Sequence, residues 1–310
     1  MLGDCGYATE VTHIISFINF KGGVGKTTTL VQVAETLSAI NKYRVLVLDL
    51  DPQTNATIAL IGEERWQQAD EDKQTLAHLF LDKLDGTNNF DLEKALIVGV
   101  SNLKTRKIDL IPSSIQLVEA QDRMHEVAIK SSFTMSPMEI VKMELSGLFS
   151  NYDFILIDCP PNLGFITQNG LEVSHYYVTP VIPDVMSTYG IPQIIQRIEK
   201  YARTRKIPVK SLGVVVTKFN SSSTLHKSVV KMLPRQLAGY YTMAGASPAL
   251  IFKTTIPQAN RYSEVMDYTA QQISYKDKWG TGNSGSHALH YYPWALTQEI
   301  LSRLEGEADE

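Results

Sequence analysis

The stretch at residues 18–29, INFKGGVGKTTT, constrains this chain more than any other. A glycine-rich loop that ends in Gly-Lys-Thr needs a strand before it and a helix after it. Its backbone N–H groups must curl around an anion at the helix N-terminus. Both flanks are present: IISFIN reads as a strand and TTLVQVAETLSA as an amphipathic helix. The loop departs from the standard G-x-x-x-x-G-K-[ST] spacing at one point. Phe20 stands where the first glycine belongs, and a second lysine, Lys21, follows it. Either the site is decayed, or it is a variant with separate work for Lys21.

Short apolar runs alternate with amphipathic stretches along most of the 310 residues, the pattern of βα units on a mostly parallel sheet. Strands are expected at 13–19, 44–49, 153–158, 176–182 and 211–217, with weaker ones at 108–112 and 250–254. Runs such as VLVL and FILI are apolar on both faces, which suits strands covered by helices on each side. The expected fold is an α/β P-loop NTPase with a mostly parallel twisted sheet flanked by helices on both faces. One domain spans 1–310, with a helical insertion at about 62–107 and a C-terminal extension at about 271–310. In that extension KDKWGTGNSGSH reads as a loop and residues 293–304 as an amphipathic helix.

The loop assigns its own chemistry. Backbone N–H groups of Gly22, Gly23, Val24, Gly25 and Thr28 would cradle phosphates, Lys26 would contact the terminal ones, and the Thr27 hydroxyl would bind Mg²⁺. Two other strands end in acids: YRVLVLDLDPQ in Asp49 and Asp51, YDFILIDCPP in Asp158. At the carboxyl ends of a parallel sheet such groups can hold the Mg²⁺ shell, partly through water, or position an attacking water. A further strand ends in Thr217-Lys218-Phe219-Asn220, close to the [NT]-K-x-D of guanine-binding proteins. Asn220 replaces the acid that accepts guanine's two N–H donors, so adenine is favoured.

KGGVGKTT at 21–28, DLDPQ at 49–53 and DCPP at 158–161 resemble the deviant Walker A, Walker A′ and Walker B motifs of the ParA/MinD family of ATPases. TPVIPD at 179–184 and IPQANRYSEV at 256–265 resemble later family segments, while Thr54 stands where the family commonly has glycine. The resemblance covers about residues 11–270. It implies ATP and Mg²⁺ as cofactors, slow partner-stimulated hydrolysis, and a homodimer that sandwiches two ATP molecules. Lys21 would then reach the partner's phosphates as a catalytic charge supplied in trans, beside Lys26. Asp51 matches the catalytic aspartate, Asp49 the acid beside it and Asp158 Walker B; Asn220 and Pro257 fall at the base.

Three outputs are open to this family: cargo positioning on DNA, membrane-bound division-site control of the MinD kind, and reductase chemistry on metal clusters. The net charge of −4 hides a window, residues 190–235, with ten basic residues against Glu199 alone. At helical spacing Arg197, Lys200 and Arg203 lie opposite Ile191, Ile194, Ile195, Ile198 and Ala202. On a second helix Lys227, Lys231 and Arg235 recur away from Leu225, Val229 and Met232, and Pro234 is expected to shorten or bend it. Such faces suit DNA binding without sequence readout. Only about ten residues precede the first strand, too few for an added helix-turn-helix domain. The C-terminal segment is acidic, which argues against anionic lipid, and no apolar run approaches the ~18 residues of a membrane span. The N-terminus lacks a signal peptide's basic and apolar regions. Cys5 and Cys159 are too few for a disulfide framework and poorly placed for a cluster. The expectation is a cytoplasmic, nucleoid-associated ATPase with non-specific DNA and a ParB-like or small adaptor protein as partners. Its cargo would be plasmid or chromosomal DNA or, alternatively, a protein organelle such as a carboxysome.

Overall fold

In the computed structural model, β1 (His13–Phe17) runs through the glycine loop into α1 (Lys26–Ala39), and β2 (Val45–Asp49) follows. Next come α2 (Asn55–Ile61), α3 (Glu63–Glu71), α4 (Leu76–Asp85), α5 (Leu92–Ala95), β3 (Ile97–Val100) and β4 (Ile108–Ile111). Helices α6 (Leu117–Arg123), α7 (His125–Lys130) and α8 (Ile140–Phe149) lead to β5 (Phe154–Asp158), α9 (Phe165–Val173) and β6 (Tyr176–Val181). Then α10 (Val185–Arg205), β7 (Lys210–Phe219), α11 (Thr224–Ala244), β8 (Ile251–Pro257) and α12 (Asn260–Glu264) alternate. The chain closes with α13 (Tyr275–Trp279), a small hairpin of β9 (Asn283–Ser284) and β10 (His287–Ala288), and α14 (Tyr291–Ala308). The structure describes residues 11–105, 108–132, 134–244 and 251–308, with the side chains of 185–189, 239–244 and 307–308 outside that description.

The main sheet has eight strands in the order β3-β4-β2-β5-β1-β6-β7-β8, all parallel except β3, which pairs antiparallel with β4. Strand alternation decides which core each side chain joins. On β5, Ile155 and Ile157 enter one core and Phe154 and Leu156 the other; on β2, Leu46 and Leu48 oppose Val45 and Val47 in the same way. The apolar runs legible in the sequence are therefore strands buried on both faces. β1 lies between β5 and β6, so the chain leaves it toward β2 on one side and later crosses to β6 on the other. That reversal opens a crevice at the carboxyl ends of the central strands, where the glycine loop sits.

Three regions differ from the expectation. β3 is not among the expected strands and falls within the segment expected to be a helical insertion. It is four residues long, contains Gly99, leaves Val98 69% exposed and lies at the sheet edge, so it lacks the two-faced apolar run. The stretch 276–287 is only partly loop. Lys276 to Trp279 belong to α13, Trp279 is fully buried, and the hairpin turns at Gly285 with φ 68°. Pro234 does not end its helix, and α11 runs on to Ala244.

α14 buries Leu296, Ile300 and Leu304, as their spacing required. It also closes the open edge of the sheet. The Glu299 carboxylate accepts the backbone N–H of Lys253 and of Thr254, each at 2.7 Å, and Arg303 donates to the carbonyls of Leu212 and Ile251 at 2.6 and 2.9 Å. Beneath it, Lys278 of α13 donates to Glu35 of α1 at 2.6 Å with both groups buried, and to Asn102 at 2.8 Å.

Candidate active site

The glycine loop owes its shape to two left-handed residues, Gly23 (φ 73°) and Gly25 (φ 85°), conformations that cost a residue with a Cβ. β7 fastens the loop from the side: the Thr217 hydroxyl donates to the carbonyl of Val24 at 2.7 Å and Lys218 Nζ to that of Gly23 at 2.8 Å. Around it opens a cavity of about 400 Å³ lined by Gly22, Gly23, Gly25, Lys26, Thr27, Thr28, Asp51 and Lys218, among others. Lys26 is only 6% exposed, so its charge is held in the site rather than in bulk water.

The acids arrive in register. Asp49 and Asp158 are Cα partners on neighbouring parallel strands, and Phe17, the end of β1, is opposite Asp158 on the other side. Asp158 Oδ2 accepts the Thr27 hydroxyl at 2.6 Å, while its Oδ1 is buried without a hydrogen-bond partner. Burial pushes the Asp158 carboxyl well up, and the charges of Asp49 and Asp51 add to it; Thr27 and Lys26 oppose that rise. Burial likewise raises Asp51, with Gln53 N–H and Lys26 opposing it. Asp49, fully buried, is pushed up to about 7 by burial in spite of donors from Thr57.

These observations fit Mg²⁺. The carboxylates of Asp51 and Asp158 stand near Lys26, and the orphaned Asp158 oxygen beside the Thr27 hydroxyl is a ready acceptor for a water of an ion's shell. Among the described residues no three His, Cys, Asp or Glu side chains form an all-protein cage. That is the arrangement Mg²⁺ uses, since it keeps waters and takes the rest of its ligands from phosphate.

The other expected residues divide. Pro257 lines a second cavity that continues from the first along α1, whereas Asn220 lines neither. Asn220 is exposed, and its Oδ1 accepts the N–H of Ser222, so it shapes its own turn. Asp49 does not line the phosphate cavity either. Its oxygens accept the N–H of Asp51 at 3.1 Å and both the N–H and hydroxyl of Thr57 at 2.9 and 2.7 Å, which positions the Asp51 segment and α2. Lys21 stands at the rim. Its N–H is held by Asn19, and its ammonium pairs with Asp184 of the same chain at 3.0 Å. Thr217 and Lys218 were missed as loop supports; only their place at a strand end could have signalled it. Cys159 is a buried thiol raised to about 12 by its surroundings, a packing group beside Gly170; Cys5 lies outside the described residues.

On α10 the isoleucines are buried and Arg197, Lys200 and Arg203 are exposed, with the Arg197 guanidinium 5.9 Å from the Phe20 ring centre. α11 packs against α10, but its buried face is Leu233 and Leu237 with Val230, not the one expected. Leu225 and Met232 are 47% and 54% exposed. α11 packs chiefly on α10, and only the narrow stripe of Val230, Leu233 and Leu237 joins the cluster formed with Val181 of β6 and Val214 and Val216 of β7. Lys227, Lys231 and Arg235 remain exposed. Arg205 leaves the basic set, tied to Glu172 and Glu139 at 2.6 and 2.8 Å.

An open parallel sheet, a glycine loop at its switch point, a buried lysine at a helix N-terminus and a Walker B acid on the adjacent strand define a P-loop ATPase domain. Comparison with known proteins agrees. The profile of the AAA domain family AAA_31 matches residues 12–210. The sporulation initiation inhibitor protein Soj of Bacillus subtilis (strain 168) is 32% identical over 262 residues, covering 84% of this chain and 90% of its own. Apo McdA of Cyanothece shares the fold with a TM-score of 0.67 over 94% of this chain and all of its own, at 19% identity. Cobyrinic acid a,c-diamide synthase of Mycobacterium smegmatis, solved with an ATP analog and magnesium, gives 0.63 over 83% of this chain and 91% of its own, at 24% identity. The chain belongs to the ParA/Soj family of P-loop ATPases.

Proposed function

We propose that this protein is an ATP-operated switch that dimerises around Mg²⁺-ATP, holds DNA without reading its sequence, and positions a plasmid or chromosomal cargo. The observation that carries the reading is one crevice holding Lys26, Asp51 and the Thr27–Asp158 pair, with Lys21 at its rim and the exposed basic faces of α10 and α11 on neighbouring helices. Lys26 and the loop N–H groups would neutralise the terminal phosphates. Asp51, nearly buried, would orient the attacking water. Thr27 and Asp158 would hold Mg²⁺, which neutralises charge on the phosphates when bound. Lys21 would leave Asp184 and meet the partner's phosphates, so that only the two-ATP dimer completes the charge set. Pairing the protomers doubles the basic surface, and electrostatic DNA affinity rises steeply with the number of phosphate contacts. A partner protein carried by the cargo would stimulate hydrolysis and end the DNA-bound state. Relatives with partitioning names, among them the ParA of Myxococcus xanthus (strain DK1622), support this output over the other two.

The test is retention on immobilised plasmid DNA at fixed salt with ATP, with ADP and without nucleotide. Retention is expected with ATP alone and is expected to vanish in Lys26→Ala. Equal retention in all three conditions would remove the switch from the account.

A further inference from the structure

Asp51 lies past the end of β2, beyond the strand ladder. A carboxylate that orients water must nevertheless keep its place to within about half an ångström. The neighbouring strand supplies the restraint. β4 runs parallel to β2 with Ile111 opposite Leu48, so the chain leaving β4 passes beside the chain leaving β2. Ser113 sits there, fully buried, and closes a ring of hydrogen bonds around the Asp51 peptide.

The ring runs from one side of Asp51 to the other. The Asp51 N–H donates to Asp49 Oδ1 at 3.1 Å, and the Thr57 hydroxyl donates to Asp49 Oδ2 at 2.7 Å. The Ser113 N–H donates to the Thr57 hydroxyl oxygen at 3.0 Å, and the Ser113 hydroxyl donates to the Asp51 carbonyl at 2.7 Å. The other bonds to Asp51 are local: its carbonyl accepts the N–H of Thr54 at 2.9 Å and its Oδ1 that of Gln53 at 3.0 Å. Those would move with the loop, whereas Ser113 ties it to the sheet. Ser113 is also the ring member best separated from the nucleotide. Asp49 pairs with Asp158 at the strand ends and Thr57 acts on Asp49, but Ser113 lines neither cavity beside the glycine loop. Its own carbonyl accepts the indole N–H of Trp66 at 3.1 Å, so α3 braces the ring from outside.

We propose that Ser113 is a positioning residue for hydrolysis: its hydroxyl fixes the Asp51 carbonyl and so aims the Asp51 carboxylate into the phosphate cavity. The proposal rests on the reading of Asp51 as the group that orients the attacking water. Nucleotide affinity, which the glycine loop and Lys26 supply, does not depend on it.

The test measures single-turnover hydrolysis of Mg²⁺-ATP and the affinity for Mg²⁺-ADP by titration calorimetry. It uses the full chain as wild type, Ser113→Ala, Ser113→Thr, Asp51→Asn and the double variant of Asp51→Asn with Ser113→Ala. Ser113→Ala is expected to hydrolyse about 10- to 100-fold more slowly, the order of loss that a misplacement of about 1 Å produces, with ADP affinity unchanged. Ser113→Thr keeps the hydroxyl and is expected to recover most of the rate. In the Asp51→Asn background, loss of the hydroxyl is expected to cost nothing further, because the group it aims is gone. Ser113→Cys, close in volume with only a weak S–H donor, serves if the alanine variant misfolds; it is expected to slow hydrolysis and spare ADP. A wild-type rate in the folded alanine or cysteine variant overturns the proposal, as does a threonine variant no faster than the alanine one. So does an equal loss of ADP affinity, or a rate loss of the same size in the Asp51→Asn background, since either would make Ser113 a packing hydroxyl only. Failure of the parent reading looks different: Asp51→Asn would itself hydrolyse at the wild-type rate.

Discussion

At the residue scale, burial pushes the carboxyls of Asp49, Asp51 and Asp158 upward from their ordinary range. Burial pushes the Asp49 carboxyl up to about 7 against an ordinary value of 3.8. Between those values the folded state keeps a proton that the unfolded chain has lost, so stability falls as pH rises from about 4 to about 7. Asp49→Asn removes that dependence and is expected to gain on the wild type across the window. Urea unfolding of both at pH 5 and pH 8 without nucleotide checks it, and a constant difference would disprove the assignment. The same scale explains the oddity at Thr54. The residue is left-handed, φ 56°, where a β-branched side chain is strained and glycine is not. The departure was visible in the sequence; the left-handed conformation that makes it costly was not, because φ is not written there.

At the element scale, each helix does two things with opposite faces. α10 anchors itself through isoleucines and presents Arg197, Lys200 and Arg203 outward. Replacing those three by alanine together is expected to change stability little, as surface substitutions do, while weakening DNA of any sequence and flattening the log–log salt slope by about 2 to 3. Filter binding at several salt concentrations measures both, and an unchanged slope would take α10 out of the DNA surface. α13 acts inward. Lys278 and Glu35 are 2% and 0% exposed, and Glu35 Oε2 has no partner, so the pair is poised for large single-mutant effects. Lys278→Met is expected to cost about 3–5 kcal/mol by stranding a buried carboxylate, and the double change with Glu35→Leu to recover most of it. Denaturant midpoints of the four-member cycle decide this. The amphipathic periods of α10 and α14 were readable beforehand because a single apolar stripe meets a single core. α11 was not, since Leu225, Val229 and Met232 form as good a stripe on paper as Val230, Leu233 and Leu237.

At the scale of the whole molecule, the sheet order sets what each strand end can reach. β1, β2 and β5 bring the glycine loop, Asp51 and Asp158 together from positions far apart in the chain, with Asp49 paired to Asp158 at the strand ends. Lys21 faces out of the crevice. Its pairing with Asp184 is half-exposed, and exposed ion pairs contribute at most about 1 kcal/mol, so the contact can yield to a partner's phosphates. Lys21→Ala is therefore expected to leave the protomer folded and to abolish the proposed ATP-dependent dimerisation. Light scattering on an ATP-saturated sample measures this, and a wild-type dimer would end the role in trans.

The sequence by itself determined the fold class and the two-faced strands, and it marked the glycine loop and the acids at the strand ends. These depend on local spacing and on apolar runs, which leave their period in the chain. Tertiary structure alone decided that Asp49 accepts from Asp51 and Thr57, that Asn220 shapes its own turn and that Lys218 braces the loop. The physical reason is shared. Burial, hydrogen-bond partners and the sign of φ are set by what packs across the sheet, and residues that meet there stand far apart along the chain.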